Sequence, residues 1–256
     1  MKLVKITDKE YFKSEGLNAS ALKEFAKSPA HYQAYINQET RKESDAFRIG
    51  SQAHKYILEE KDLNIKPACD RRKKEGKEIF AKFQESLEYS TDYVDDAEME
   101  AIQQMKANVA AHPIAKDIIN PEWAEKAAFV TCPQTGLNLK CKYDCLPDAG
   151  NIIYDLKTSE DASPEQFRWS IKKFKYDIQA CHYLYVAQLL GLDMQHFVFI
   201  PVEKSAPYGV SAIAIDSESL HYAQNRYFEL LSKFAICQQK NDFTECYSQN
   251  IIPINL

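Results

Sequence analysis

The sequence predicts a mixed α/β (α+β) fold, with a central mixed sheet flanked by helices and an N-terminal helical extension. The chain has 256 residues and is 45% hydrophobic, which is enough for a substantial core. Apolar residues recur at helical spacing through the first 120 residues, and from Trp123 onward their period changes to two. We expect one domain over residues 1–256, comprising a helical part at 1–120, a sheet-centred core at 121–240 and a tail at 241–256.

Composition excludes several classes of protein. With 32 basic and 37 acidic residues the net charge is −5, so a uniformly basic nucleic-acid coat is excluded and any DNA contact must be local. No apolar run approaches the roughly 20 residues of a membrane span, and the first residues are charged, so we expect a cytoplasmic protein without a membrane partner. The seven cysteines have no CxxC spacing, which argues against a disulfide framework or a zinc knuckle.

Capping residues indicate where helices begin in the helical part of the chain. Asn18 can cap a first helix, Ser28-Pro29 begins a second, and Asp95 caps a later one. Further helices are predicted at 44–60, 74–90, 96–111, 163–174, 177–190 and 217–239. Strands are predicted at 124–131, 137–146, 151–157, 196–202 and 208–215, the first three forming a meander.

The second and third predicted strands bring two carboxylates together. Their turn is centred between Ala149 and Gly150, so Asp144 faces Asp155. Like charges at about 5 Å on one sheet face are destabilising unless a cation compensates. Lys157 lies two residues beyond Asp155 and therefore on the same face. Paired carboxylates suit Mg²⁺, and a neighbouring ammonium can orient or deprotonate a water, which fits metal-assisted phosphodiester hydrolysis.

The alternation of the acid strand predicts one chemical and one core face. Its chemical face reads Lys140, Lys142 and Asp144, and its core face reads Leu139, Cys141, Tyr143 and Cys145. With Lys172, Lys173 and Lys175, the first two lysines are expected to line a DNA groove. The alternatives are that the lysines are solvated and that the two aspartates form a simple salt bridge with Lys157 near a turn.

Two further stretches carry polar residues at helical spacing. Gln179 and Tyr183 share one helix face that can line the reactive edge of the sheet. Gly50, one turn before His54, permits close packing and lets the imidazole point inward. The alternatives are amphipathic surface residues and a satisfied core histidine.

Together these motifs resemble the RecB-like branch of the PD-(D/E)xK nuclease superfamily, and within it the RecE-type exonuclease (exonuclease VIII) nuclease domain. The similarity covers about residues 10–200. It rests on Gly50-x-x-x-His54, Asp144, Asp155-Leu156-Lys157, Gln179-x-x-x-Tyr183, the opening Leu17-Asn18-Ala19-Ser20-Ala21-Leu22-Lys23, Ser28-Pro29-Ala30-His31-Tyr32 and Thr135-Gly136-Leu137. Asp155 stands where many relatives carry Glu.

The resemblance implies a role for each motif. His54, Asp144, Asp155 and the Leu156 carbonyl would hold Mg²⁺, for which Mn²⁺ would substitute, and Lys157 would serve the attacking water. Gln179 and Tyr183 would position substrate or the catalytic lysine, and Ser20 would lie near a terminal phosphate. Either Glu125 or Glu122 would be an outer acid ligand. Some relatives hold an iron–sulfur cluster with four cysteines, but only Cys237 and Cys246 lie near the C-terminus here, so no cluster is expected.

The implied activity is a Mg²⁺-dependent DNA exonuclease acting 5′ to 3′ on linear duplex ends in phage-type recombination. The resemblance suggests a single-strand annealing protein as partner and a ring-shaped homo-oligomer. An endonuclease or repair nuclease on the same core is the enzymatic alternative. A catalytically idle DNA-binding or scaffold module is the other, although a binding module gains nothing from opposed carboxylates beside DNA phosphates.

Overall fold

The structure is a computed structural model that describes residues 1–37, 45–87, 89 and 92–247. The helices are α1 (Asp8–Lys13), α2 (Ala19–Phe25), α3 (Pro29–Ile36), α4 (Asp45–Leu58), α5 (Lys74–Glu85), α6 (Asp96–Ala111), α7 (Pro164–Lys173), α8 (Tyr176–Leu189) and α9 (Ser217–Lys240), with a 3₁₀ turn at Ala115–Ile118. The strands are β1 (Lys2–Lys5), β2 (Ala124–Thr131), β3 (Asn138–Cys145), β4 (Ile152–Ser159), β5 (His196–Glu203) and β6 (Ile213–Ala214). This order confirms the predicted fold class.

The predicted caps begin their helices. Asn18 Oδ1 accepts from the Ala21 backbone N–H at 2.8 Å, and Ser28 caps α3 with Pro29 in its first turn. Asp95 and Glu98 form a reciprocal capping box at the start of α6. The third predicted helix was expected from 44, but residues 38–44 lie outside the described part of the chain. The same holds for residues 88 and 90 of the fourth predicted helix and for residues 248–256 of the tail.

The strands form one mixed sheet in the order β1-β2-β3-β4-β5-β6. Only β4 and β5 pair in parallel among these strands, and α7 and α8 make the crossover that a parallel pair requires. In the β3–β4 hairpin Cys145 pairs with Tyr154. This confirms the predicted register, because the same alignment sets Asp144 opposite Asp155.

Helices cover both faces of the sheet. On one face Phe25 of α2 and Tyr227 of α9 pack in one buried cluster with Tyr143 and Phe199 of the sheet. On the other face Ile57 of α4 and Met105 of α6 are buried with Leu156 and Ile200. The N-terminal helices are therefore layers of the core. Burial of both faces explains why β5 is apolar without interruption from Phe197 to Val202. No helix in the described ranges is both long and apolar enough to cross a bilayer.

Two strand predictions need correction. β1 was missed: it lies at the sheet edge, antiparallel to β2, with Leu3 opposite Ala128. Its four residues carry two lysines, and its partner lies more than 120 residues away, so no local signal marks it. The strand predicted at 208–215 shrinks to Ile213–Ala214, because Tyr208 has a φ of 58° and the Gly209 N–H donates to Glu203 Oε2 at 2.9 Å. The Glu203 carboxylate thus accepts the hydrogen bond that a backbone carbonyl would accept in a regular strand pair.

Candidate active site

Asp144 and Asp155 lie at the centre of the site, on neighbouring strands. Asp155 is completely buried in the middle of β4, and Asp144 lies near the end of β3. The Leu156 backbone N–H donates to Asp144 Oδ2 at 2.9 Å. Because the N–H and C=O of one residue in an extended strand point the same way, the Leu156 carbonyl also faces the space beside Asp144. This is the orientation that the predicted backbone ligand needs.

Glu125 distorts the neighbouring strand beside Asp144. The β2–β3 ladder pairs Ala124 with Cys145 and Lys126 with Tyr143, and between these pairs Glu125 adopts a left-handed backbone with a φ of 56°. Such a conformation is unfavourable for a non-glycine residue and is typical of functional sites. Burial raises the pKa of Glu125 to about 7, although its ion pair with Lys142 opposes the shift.

The structure decides between the two candidate outer acids. The charge of Glu125 acts on the pKa values of both His54 and Lys142, whereas Glu122 is exposed to solvent. Glu125 is therefore the acidic side chain that the fold brings to the site.

His54 is held by α4 with its Nε2 directed at the acid pair. This atom lies 3.0 Å from Asp144 Oδ2, and Nδ1 lies 2.8 Å from the Gly50 carbonyl oxygen. Since a carbonyl only accepts, Nδ1 carries a proton, the arrangement commonly found for metal-ligating histidines. Burial lowers the pKa of His54, but the charge of Asp144 outweighs it and raises the pKa to about 9.

Gly50 sets the distance between α4 and the sheet. A Cβ at this position would lie 3.1 Å from Thr158 Oγ1 of β4, closer than ordinary van der Waals contact. The predicted role of this glycine, close packing that lets His54 point inward, is confirmed by that approach. The contact with Asp144 also distinguishes His54 from a histidine that merely fills the core.

Lys157 and Gln179 both contact Asp155. Lys157 Nζ forms an ion pair with Asp155 Oδ2, and Gln179 Nε2 donates to Asp155 Oδ1 at 2.6 Å. Burial raises the pKa of Asp155 to about 6. Burial lowers the pKa of Lys157, but the Asp155 charge more than offsets this, so that the ammonium stays protonated.

Lys23 and Tyr176 are site residues to which the sequence analysis assigned no role. Lys23 Nζ donates to Gln179 Oε1 at 2.9 Å, and its pKa is lowered to about 7 by burial and by the charge of Lys157. The ring of Tyr176 lies 4.8 Å from the Lys23 ammonium and 5.2 Å from that of Lys157. Lys23 ends the opening motif, and Tyr176 precedes Gln179 by three residues, so helical spacing could have pointed to both.

Tyr183 and Ser20 lie at the margin of the site. Tyr183 packs edge-on against Tyr143 and Phe197, at centroid distances of 5.3 and 5.7 Å. Ser20 is exposed in the first turn of α2, three residues before Lys23. Their proposed contacts with substrate therefore remain predictions.

Lys140 and Lys142 do not line a DNA groove, and this prediction is wrong. Lys140 is buried and donates to the backbone carbonyls of Tyr11 and Ser14, at 2.9 and 2.5 Å. Lys142 pairs with Asp8 and Glu125. Both lysines face neighbouring chain segments, because α1 and its C-cap supply the oxygens of Asp8, Tyr11 and Ser14 that they contact. Lys172 and Lys173, in contrast, are exposed on α7.

The donor set fits a hard divalent cation. Two carboxylates, one backbone carbonyl and one imidazole match the oxygen-rich sites of Mg²⁺ and Mn²⁺. Within the described ranges, no three His, Cys, Asp or Glu side chains form a preformed cluster. Instead, Lys157 and His54 place positive charge beside the two carboxylates. Asp155 Oδ2 is buried and accepts no hydrogen bond, although the Lys157 ammonium forms an ion pair with it.

A family comparison identifies this arrangement. Residues 18–249 match the PDDEXK-like domain of unknown function DUF3799. The chain belongs to this family. The PD-(D/E)xK superfamily predicted from the sequence is thereby confirmed, whereas the narrower assignment to RecE-type exonucleases is not supported.

The fold is also found in a solved structure. It is similar to the crystal structure of a candidate exonuclease from Eubacterium rectale, with a TM-score of 0.60 and 14% identity. The similarity covers 99% of this chain and 96% of the other. No curated protein matches the sequence.

Proposed function

We propose that this PDDEXK-like protein is a Mg²⁺-dependent deoxyribonuclease that acts as an exonuclease on linear duplex DNA. One observation carries the proposal: Asp144 and Asp155 lie on adjacent strands, with His54 Nε2 against one acid and the Lys157 ammonium against the other. Burying two carboxylates is costly unless cations compensate them, so this arrangement supports a cation site. Family membership supports the broader class of nuclease.

Each side chain has a role in this proposal. Asp144, Asp155, His54 and the Leu156 carbonyl would hold the metal. Mg²⁺ held there would supply positive charge that stabilises negative charge on a phosphate and makes water a stronger acid. Lys157 orients the attacking water or stabilises the charge that develops on the phosphate. Gln179 donates to Asp155 Oδ1, which leaves Oδ2 for the ion pair with Lys157.

The exonuclease mode rests on similarity. The motifs resemble RecE-type exonucleases, and the solved relative is described as a candidate exonuclease. On this basis the proposal extends to 5′ to 3′ degradation of duplex ends in phage-type recombination, together with a single-strand annealing protein. A ring-shaped homo-oligomer and a cytoplasmic location belong to the same proposal.

Digestion of two DNA forms tests the proposal. Linear duplex labelled at one 5′ end and covalently closed duplex of the same sequence are incubated with the protein and Mg²⁺, with chelator as the control. We expect nucleotides to be released from the linear form while the closed form persists. Cleavage of the closed form would establish the endonuclease alternative. Activity that survives excess chelator would contradict metal dependence.

A further inference from the structure

Helix α7 and its C-cap carry an exposed surface of alternating aromatic and basic side chains. It consists of Arg168, Trp169, Lys172, Lys173 and Phe174, which we call the α7 surface. Trp169 is 54% exposed and Phe174 is 48% exposed. Both rings are therefore accessible to a binding partner.

Each ring of the α7 surface has a cation beside it. The Lys172 ammonium lies 5.2 Å from the ring centroid of Trp169, and the Lys173 ammonium lies 5.3 Å from that of Phe174. The Arg168 guanidinium also lies 5.4 Å from the Trp169 ring. The surface therefore pairs flat apolar faces with positive charge, which is the chemistry that binds a nucleic acid strand.

Charge is concentrated locally on this segment. Residues 164–175 contain four basic side chains and the single acidic Glu165, although the chain as a whole has a net charge of −5. A polyanion is attracted by such local contacts more than it is repelled by distant acidic surface, because salt screens charges beyond about 10 Å. Charge complementarity thus favours a phosphate backbone as the occupant.

Aromatic contacts connect the α7 surface to the candidate active site. The rings of Phe174 and Tyr176 lie 5.6 Å apart and are inclined by only 35°. The ring of Tyr176 in turn lies 5.2 Å from the Lys157 ammonium. Phe174 is therefore separated from the catalytic lysine by one aromatic ring.

A cavity adjoins the α7 surface. Arg168 and Lys172 line this cavity of about 620 Å³ between α7, β6 and α9. Arg226 also lines it and pairs with Asp177, while Asp216 lies at the same wall.

We propose that the α7 surface binds unpaired single-stranded DNA next to the cleavage site, with Trp169 and Phe174 stacking on its bases and the adjacent lysines contacting its phosphates. Stacking requires the faces of bases, which a duplex keeps hidden, so exposed rings select an unpaired strand over paired DNA. This inference rests on the proposed nuclease function, since it names the form of DNA held beside the site.

Tryptophan fluorescence tests the proposal without cleavage. The chain has two tryptophans, and a Trp123→Phe background leaves Trp169 as the sole reporter. The probe is oligothymidine of about 16 nucleotides in excess chelator, compared with a blunt duplex. We expect the single strand to quench Trp169 fluorescence more strongly than the duplex does.

Affinity of variants tests each ring. Trp169→Ala and Phe174→Ala should each weaken single-strand binding by at least about fivefold and change duplex binding by less than about twofold. Phe12→Ala, which removes another exposed aromatic side chain, is the matched control and should change neither. Thermal unfolding of every variant checks that the fold is retained.

Several outcomes would overturn the proposal. These are undetectable single-strand binding by the wild type, equal losses for single strand and duplex in both aromatic variants, or an unchanged single-strand affinity in both. Self-association that is lost in Trp169→Ala, with DNA binding intact, would assign the surface to a second copy of the chain. Hydrolysis of linear duplex is measured separately. If stacking fails but hydrolysis is seen, only the single-strand proposal is contradicted. If the wild type binds single strands but hydrolyses no DNA, only the nuclease proposal is contradicted.

Discussion

The Gln179 side chain links Asp155 to Lys23: its Nε2 donates to Asp155 Oδ1 at 2.6 Å, and its Oε1 accepts from Lys23 Nζ at 2.9 Å. The link crosses from α8 to β4 and to α2, so three elements together fix the orientation of one buried carboxylate. A carboxylate held in this way is prepared to bind a metal without reorganisation.

Removing that link should slow catalysis without unfolding the protein. Gln179→Leu keeps the volume but loses both hydrogen bonds, so we expect a 10- to 100-fold lower rate, typical of an outer contact of a metal site, or an equally raised Mg²⁺ requirement. DNA hydrolysis measured over a Mg²⁺ titration checks this. Gln188→Leu, which changes an exposed glutamine of the same helix, should be neutral. Identical titrations for Gln179→Leu and wild type would refute the positioning role.

Lys157 should act in turnover rather than in metal binding. The Lys157 ammonium forms an ion pair with Asp155 and would compete with a cation for it, so Lys157→Met should bind Mg²⁺ at least as tightly as the wild type. Its turnover at saturating Mg²⁺ should fall at least about 100-fold, because the group that serves the water is missing. Calorimetric Mg²⁺ titration and single-turnover cleavage separate the two effects. Normal turnover together with weak metal binding would reverse this assignment.

The approach of α4 to β4 at Gly50 should matter for activity. Gly50→Ala places a Cβ about 3 Å from Thr158 Oγ1 and displaces His54, so we expect roughly tenfold lower activity. The helix itself should be stabilised by about 0.5–1 kcal/mol, since alanine is the better helix former. Thr158→Ala removes the opposing oxygen and should restore activity in the double variant. Failure of this rescue would locate the effect of Gly50 elsewhere.

His182 should make stability depend on pH. The imidazole is buried between the Tyr227 hydroxyl and the Lys140 carbonyl oxygen, each at 3.0 Å, and burial lowers its pKa to about 4. Below pH 6.5, the ordinary pKa of histidine, the His182 imidazole is protonated in the unfolded chain but stays neutral in the folded protein. The free energy of unfolding should therefore fall as the pH drops from 6.5 to 4, by up to about 3 kcal/mol from this group.

Urea unfolding across that pH range measures the contribution of His182. The slope should flatten in His182→Gln and persist in His221→Gln, which alters an exposed histidine. An NMR titration of the wild type gives a second readout if the variant fails to fold. An imidazole that gains its proton near pH 6.5 would disprove the depressed pKa.

Much of the site follows from local sequence rules. The turn at Ala149-Gly150 sets the hairpin register, and alternation then puts Asp155 and Lys157 on one face. Helical spacing also predicts that Gly50 and His54 act together. These relationships join residues close in sequence, where strand and helix periodicity are reliable.

The remainder depends on contacts between distant segments. The strand pattern predicts that Lys140 lies in solvent or at a DNA groove, but the folded chain buries it and its ammonium donates to the backbone carbonyls of Tyr11 and Ser14. Lys23 reaches the site only because α2 packs beside α8. β1 pairs with β2, which lies more than 120 residues further along the chain. The residue pattern within one segment contains no information about which distant segment packs against it. These three contacts therefore could not be predicted from the local sequence.

The ion preference follows from the ligand set. Mg²⁺ and Mn²⁺ favour short octahedral oxygen contacts, whereas the larger Ca²⁺ accepts more ligands and misplaces the water. We expect Ca²⁺ to inhibit cleavage in the presence of Mg²⁺. Equal turnover with Ca²⁺ alone would contradict this site chemistry.

The rate of Mg²⁺-dependent nucleotide release from linear duplex by Asp155→Asn is the most direct test of the proposed active site. The exposed Asp193→Asn serves as the matched control, since it makes the same change of charge outside the site. Losing a direct metal ligand removes several kcal/mol of transition-state stabilisation, so we expect Asp155→Asn to retain less than about a hundredth of the wild-type rate. Asp193→Asn should keep nearly all of it. A folded Asp155→Asn protein with more than about a tenth of the wild-type rate would contradict the assignment.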